Sequence, residues 1–159
     1  MSREQVLAAI PHRDPFLWVD EIVSQDESRI VTRKHVPADL DVFRGHYPGS
    51  PILPGVLVCE AIFQTGAILL AARAREAVAA EGLVPVMTRI KETRFKTMVR
   101  PGDDLEIEVE VEDALPKLFH LKGKAKVAGK LAVATSFACA LAAGGEGSAR
   151  QRADQEAGS

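Results

Sequence analysis

The sequence predicts an α+β domain in which an antiparallel sheet wraps around one long central helix, and three observations predict it. The run from Val56 to Ala72 is nearly all apolar, with Glu60 its only charged side chain before Arg73. A helix apolar on every side must be enclosed on every side. The segment "LEIEVEVED" alternates so strictly that Leu105, Ile107, Val109 and Val111 share one face and leave their glutamates to solvent. Several further β-rich runs precede and follow the helix, joined by short turn sequences, which is how strands of an antiparallel sheet are connected.

Element by element, Arg3 to Ile10 reads as a short helix stopped by Pro11. "FLWVDEIV" and "SRIVTRKHV" read as two strands around a polar turn at Gln25 to Ser28. The loop "PADLDVFRGHYPGSPILPG" leads into the long helix, which begins near Gly55 and is expected to run to Glu81 with Gly82 as its stop. "VPVMTRIKETRFKT" reads as extended and "VRPGDD" as a turn. After the alternating strand, two more are expected at Lys117 to Val127 and Leu131 to Ala142, hinged at "AGK". Residues 1–142 form the expected domain, and 143–159, "AGGEGSARQRADQEAGS", offer nothing to bury and are expected to be disordered.

At 159 residues, one domain can enclose its core without disulfide or metal staples. A hydrophobic fraction of 47%, a charged fraction of 26% and a net charge of −2 give no global attraction to nucleic acid or membrane. Cys59 and Cys139 lie in apolar runs, as buried thiols of a reducing compartment do, and lack metal-site spacing. The N-terminus carries early charge and no sustained apolar stretch, so a cytoplasmic protein is expected.

The chemistry concentrates in "FRGHYPGSPILPGVLVCEAIFQ". Pro48, Pro51 and Pro54 recur with the period of polyproline II, so the segment is expected to be stiff and extended. Fully extended, the nine steps from His46 to Gly55 would span roughly 28 Å, which favours a site built from two chains, although a bend at Gly49 would allow one. His46 can act as a base while uncharged. Glu60 sits among apolar neighbours whose desolvating effect favours the protonated acid, and Gln64, four residues on, shares its face. Backbone amides at the helix start, Gly55 first, have no intrahelical acceptor and suit an oxygen that becomes negative. A buried hydrogen bond for Glu60 and a surface role for His46 are the plainer alternatives. His35 and His120 read as sheet residues, and Ser50 lacks the elbow of a hydrolase.

"IPHRDPFLWVDEIV", the proline and glycine segment above, and "RFKTMVRPGDDLEIEVEV" together resemble the blocks of FabZ-type 3-hydroxyacyl-acyl carrier protein dehydratases, in order and from about Leu7 to Leu141. The resemblance implies a hot-dog fold, a homodimer with possible assembly into a trimer of dimers, and an active site shared between subunits. It implies that His46 removes the proton next to the thioester, Glu60 protonates the departing hydroxyl, the Gly55 amide binds the thioester oxygen, and Gln64 holds the glutamate. His12 matches a structural position. Asp14 stands where the family commonly has an aromatic residue, which bears on chain-length preference and local packing. No metal or redox cofactor is required. Acyl carrier protein is the implied partner, with Arg94, Lys96 and Arg100, from a basic set that includes Arg89 and Lys91, as its docking residues. A hot-dog thioesterase using Glu60 to activate water is the main rival, and a non-catalytic acyl-binding module the second.

Overall fold

The structure, a computed structural model, describes residues 2–143, apart from the side chains of residues 77 and 78. The chain runs α1 (Arg3–Ala9), β1 (Glu21–Gln25), β2 (Arg29–His35), α2 (Val42–Gly45), α3 (Gly55–Arg73), α4 (Arg75–Glu81), β3 (Leu83–Phe95), β4 (Asp104–Leu115), β5 (Leu118–Val127) and β6 (Lys130–Ala143). The strands form one antiparallel sheet in the order β1-β2-β4-β5-β6-β3. Since α3 connects β2 near one edge to β3 at the other, it crosses the sheet's inner face. This is the hot-dog arrangement that the sequence resemblance implies.

The register explains why the helix is apolar all round. Thr32, Ile107, Ala125 and Val133 lie across one another through four strands, as do Ile30, Val109, Gly123 and Thr135. These residues face α3, where Ile62, Ile68, Leu69 and Leu70 are at most 1% exposed. Each such side chain contributes about 1.5–3 kcal/mol when removed from water. Gly123 has a specific task here: a Cβ at that position would collide with the Ile62 side chain, so the glycine sets how closely helix and sheet approach. The buried hydroxyls of Thr32 and Thr65 satisfy each other at 2.8 Å across the same interface. α3 is long and apolar enough to cross a membrane by length and composition, but here it is the core helix of the sheet.

Three expectations change. The long helix does not reach Glu81 unbroken: Ala74 departs from helical geometry at φ −101° and ψ 17°, and α4 restarts beyond it. No helix breaker lies there; the break coincides with Arg73 donating to the Glu27 carbonyl at 2.7 Å. "FLWVDEIV" is a strand only from Glu21, because the Trp18 amide donates to the Gln64 side chain at 2.8 Å instead of to a neighbouring strand. Ala143, placed by expectation in the tail, pairs with Leu83 in the sheet. The rest of that expectation, residues 144–159, lies outside the described residues. The "AGK" hinge is a two-residue turn between Val127 and Lys130, with Ala128 at φ 46° and Gly129 at φ 75°, both left-handed as a tight hairpin requires.

The edge strand β3 is shaped by irregularities in pairing between Met87 and Arg89 and between Lys91 and Arg94. Each inserts one extra residue against β6, and an extra residue exchanges the faces of everything after it. As a result Ile90 and Phe95 lie opposite inward-facing Phe137 and Val133, while Arg89 and Arg94 turn to the outer face opposite Ala138 and Ala134.

On the outer face, Glu108 lies between Arg29 at 2.9 Å and Lys124 at 3.0 Å. The hydrogen bond from Arg29, with support from Lys124, pulls its carboxyl from the ordinary 4.5 down to about 2. A depressed carboxylate contributes stability that is fully present above the unfolded value and is lost as pH falls through the folded one. Glu108→Gln should therefore lower stability at neutral pH, and its deficit against wild type, measured by urea unfolding, should shrink between about pH 5 and about pH 2. A deficit independent of pH would contradict this role.

Candidate active site

The loop before α3 is not the extended arm that its prolines imply. α2 makes one turn and His46 closes it, its amide donating to the Val42 carbonyl at 3.0 Å. The chain then reverses over Tyr47 to Ser50, with Ser50 N–H on the Tyr47 carbonyl at 3.0 Å and Gly49 at φ 87°. Proline second and glycine third are what a type II turn demands. Pro48 and Gly49 thus bend the segment, and the roughly 28 Å reach of a polyproline II strut is not realised. Beyond the turn, the Leu53 amide ties the chain to the Val99 carbonyl at 2.8 Å.

The bend folds His46 back onto its own loop, where Nδ1 lies 2.8 Å from the Ile52 carbonyl. A carbonyl only accepts, so Nδ1 carries the hydrogen and the neutral ring presents a free lone pair at Nε2. Tyr47 packs edge-on against the imidazole, 4.8 Å between centroids, from a left-handed backbone at φ 54°.

Glu60 is held just as specifically. Gln64 donates to its Oε1 at 2.9 Å, and the same amide nitrogen donates to the Phe16 carbonyl at 2.9 Å. The Gln64 oxygen accepts from Trp18 N–H. Gln64 is 1% exposed, so this amide is fixed by partners on all sides, and its bond to Glu60 falls on Oε1 rather than Oε2. The carboxyl is not sealed among its apolar neighbours, since its side chain is 21% exposed. His12 Nε2 stands 3.8 Å from the same Oε1, while His12 Nδ1 is buried with no partner among the described residues. His46 and Glu60 form no ion pair within one chain among the described residues.

Gly55 opens α3 after Pro54, and its amide and that of Val56 precede the first intrahelical bond. The Phe95 ring lies against it: a Cβ on Gly55 would stand 2.5 Å from one ring carbon and 2.6 Å from another. Beside them is a cavity of about 310 Å³ lined chiefly by Ile52, Leu53, Val58, Met98 and Val133, with Lys96 among its walls. Of the basic residues expected to dock a partner, Lys96 borders this cavity. Arg94 faces the outer groove with Glu108 and Glu110, and Arg100 lies in the turn where its amide meets Asp103.

His35 and His120 pair with Asp104 at 2.8 Å and Asp113 at 3.8 Å on the sheet surface. Burial pushes the Cys139 thiol up to about 11 and raises that of Cys59, which keeps both protonated and unreactive. Among the described residues no three His, Cys, Asp or Glu side chains are grouped to hold a metal ion. Asp14, the departure noted in the sequence, makes a 2.6 Å ion pair with Arg3 of α1.

Sequence reasoning did not find His12 facing Glu60, nor Phe95 covering Gly55. The first contact joins residues 48 positions apart through a loop of irregular backbone. The second depends on an extra residue in β3. Neither leaves a periodicity to read.

The FabA-like domain family matches residues 10–136. The chain is 42% identical over 135 residues to the 3-hydroxyacyl-[acyl-carrier-protein] dehydratase FabZ of Caulobacter sp. (strain K31), covering 84% of this chain and 82% of that one. It is 38% identical over 142 residues to the protein of the same name from Bacillus velezensis, covering 89% and 98%. Among solved structures, the dehydratase heterocomplex ApeI:P from Xenorhabdus doucetiae superposes with a TM-score of 0.72 at 17% identity, covering 92% of this chain and 95% of that one. A hypothetical thioesterase with coenzyme A from Streptococcus pneumoniae superposes at 0.60 with 14% identity, covering 77% and 88%. At such identities these two likenesses concern the fold.

Gln64→Leu would leave the Trp18 amide and the Phe16 carbonyl without their side-chain partner. Each buried group so orphaned costs about 1–3 kcal/mol, so the urea midpoint should fall clearly, and more than in Glu60→Gln, which keeps the loop contacts. Equal stability of Gln64→Leu and wild type would show that the amide bridge carries no load.

Proposed function

The chain belongs to the FabA-like family, among the FabZ-type 3-hydroxyacyl-acyl carrier protein dehydratases of the hot-dog superfamily, and from that membership we propose how its residues remove water from a 3-hydroxyacyl thioester in fatty acid biosynthesis. The observation that carries the reading is the clamp on His46: with Nδ1–H spent on the Ile52 carbonyl, Nε2 is a base of fixed tautomer and direction. It takes the proton next to the thioester carbonyl. Charge developing on the carbonyl oxygen is met by the Gly55 amide at the start of α3. Glu60 delivers its proton from Oε2 to the β-hydroxyl, which leaves as water, and the trans-2-enoyl thioester remains. Gln64 keeps the carboxyl aimed throughout.

The working unit is a homodimer, in which His46 of one chain meets Glu60 of the other. Support comes from surface that one chain leaves open: Val56 is 69% exposed at the start of α3, and Met87 and Ile90 on β3 are 41% and 51% exposed. β3 is also an edge strand, with a backbone face free to pair. Assembly into a trimer of dimers remains part of the same proposal. Acyl carrier protein brings the substrate, and Lys96, beside the cavity at Gly55, is the foremost of the three docking residues, with Arg94 and Arg100 flanking it. Among the described residues the long apolar helix is enclosed by the sheet, which supports a soluble protein, and the cytoplasm is its proposed place.

Incubation with a 3-hydroxybutyryl thioester should produce enoyl absorbance without free thiol, and Glu60→Gln should lose roughly 10²–10⁴-fold in kcat. Thiol release without enoyl formation would mark a thioesterase instead. Charge reversal at Lys96 should raise KM for carrier-bound substrate and spare a small cysteamine thioester. Equal losses on both substrates would remove the docking role.

A further inference from the structure

We propose that Phe95 sets which acyl groups the site accepts at the carbon next to the thioester carbonyl, admitting linear chains and excluding those branched at that carbon. The inference rests on the dehydratase reading above. Its structural basis is the extra residue in β3 between Lys91 and Arg94, which turns Phe95 from the outer to the inner face of the sheet, opposite Val133. Delivered there, the ring lies on Gly55, closer than any side chain at that position would allow. It is therefore both a wall of the cavity of about 310 Å³ and packed against the residue whose amide is assigned to the thioester oxygen.

The walls of that cavity decide the occupant. Ile52, Leu53, Val58, Met98 and Val133 offer hydrocarbon, and Lys96 supplies the one cation among them. Such a lining fits an acyl thioester whose carrier arm bears an anionic phosphate. With its carbonyl oxygen on the Gly55 amide, at about 2.9 Å from nitrogen, the proposed substrate brings its neighbouring carbon to the side of Gly55 on which the ring lies. A methylene fits there. A methyl branch adds a carbon that needs about 3.5–4.0 Å from the ring carbons, and a ring seated on Gly55 cannot retreat toward the helix.

Phe95 is also suited to being changed without harm to the fold. Within one chain the residue is 57% exposed, so it is not a keystone of that chain's core. One methylene too many in a fitted pocket changes discrimination by roughly 10–200-fold, which sets the scale of the effect.

The test compares wild type, Phe95→Leu and Phe95→Ala on cysteamine thioesters of 3-hydroxybutyrate and 2-methyl-3-hydroxybutyrate, following enoyl formation, with thermal unfolding as the check on folding. The ratio of kcat/KM for branched over linear substrate should rise about 10-fold or more in Phe95→Ala, less in Phe95→Leu, with unfolding midpoints close to wild type. An unchanged ratio in both folded variants, or a wild type that takes the branched substrate as readily as the linear one, would overturn the inference while leaving the dehydratase reading in place. No enoyl product from the linear substrate with wild type would sink that reading, and this inference with it.

Discussion

The buried amide of Gln64 is the constraint on which the rest of this molecule turns. It sits on the central helix, yet its partners are the carbonyl of Phe16 and the amide of Trp18, in a segment that would otherwise be free to continue as sheet. By taking those backbone groups it keeps the segment before Glu21 out of β1, where Leu17, Trp18 and Val19 are buried in the core. The donor hydrogen left over goes to Glu60. A polar side chain in an apolar interior is expensive unless every hydrogen-bonding group finds a partner. Here that requirement couples the packing of the N-terminal third of the chain to the aim of one carboxyl.

His46 is held by the same logic with a different device. Its partner is a backbone carbonyl six residues on, brought within reach by a turn whose proline and glycine occupy the positions their backbone preferences dictate. In both cases the atom to which the proposed chemistry is assigned is the one left over after its neighbour has been committed: Nε2 of His46, and Oε2 of Glu60. Such preorganisation removes the freedom that a side chain would otherwise lose on reaching the reactive geometry. It also explains why the core can be so tightly apolar around α3 without disabling the site. The polar groups of the proposed chemistry lie at the start of the helix and in the loops that meet it.

What could be read from the sequence follows from what has a period or a local preference. The central helix, the alternating strand at Leu105 to Val111 and the stop at Gly82 each rest on nearest neighbours, and each is present. The family resemblance likewise rested on short blocks whose order and spacing survive in one dimension. Where distant residues decided, the reading failed. Nothing near Arg73 announces that a carbonyl at Glu27 stands beside the break in the helix. Two local signals also competed: the three prolines were read for their common period with a bend at Gly49 as the alternative, and Gly49 beside Pro48 makes the turn. The extra residues in β3 are visible only against the partner strand, so the inward face of Phe95 could not be read from the alternation of its own segment.

The central claim is that catalysis needs His46 of one chain and Glu60 of another. Its most direct measurement is complementation between a His46→Ala chain and a Glu60→Gln chain, each inactive alone, mixed under conditions where subunits exchange and carrying different tags to confirm it. In a two-fold dimer with one chain of each kind, one site collects both defects and the other collects neither. Random pairing makes about half of the dimers mixed, so roughly a quarter of wild-type activity should return. If tagged heterodimers form and the mixture stays inactive, the site lies within one chain and the account is wrong.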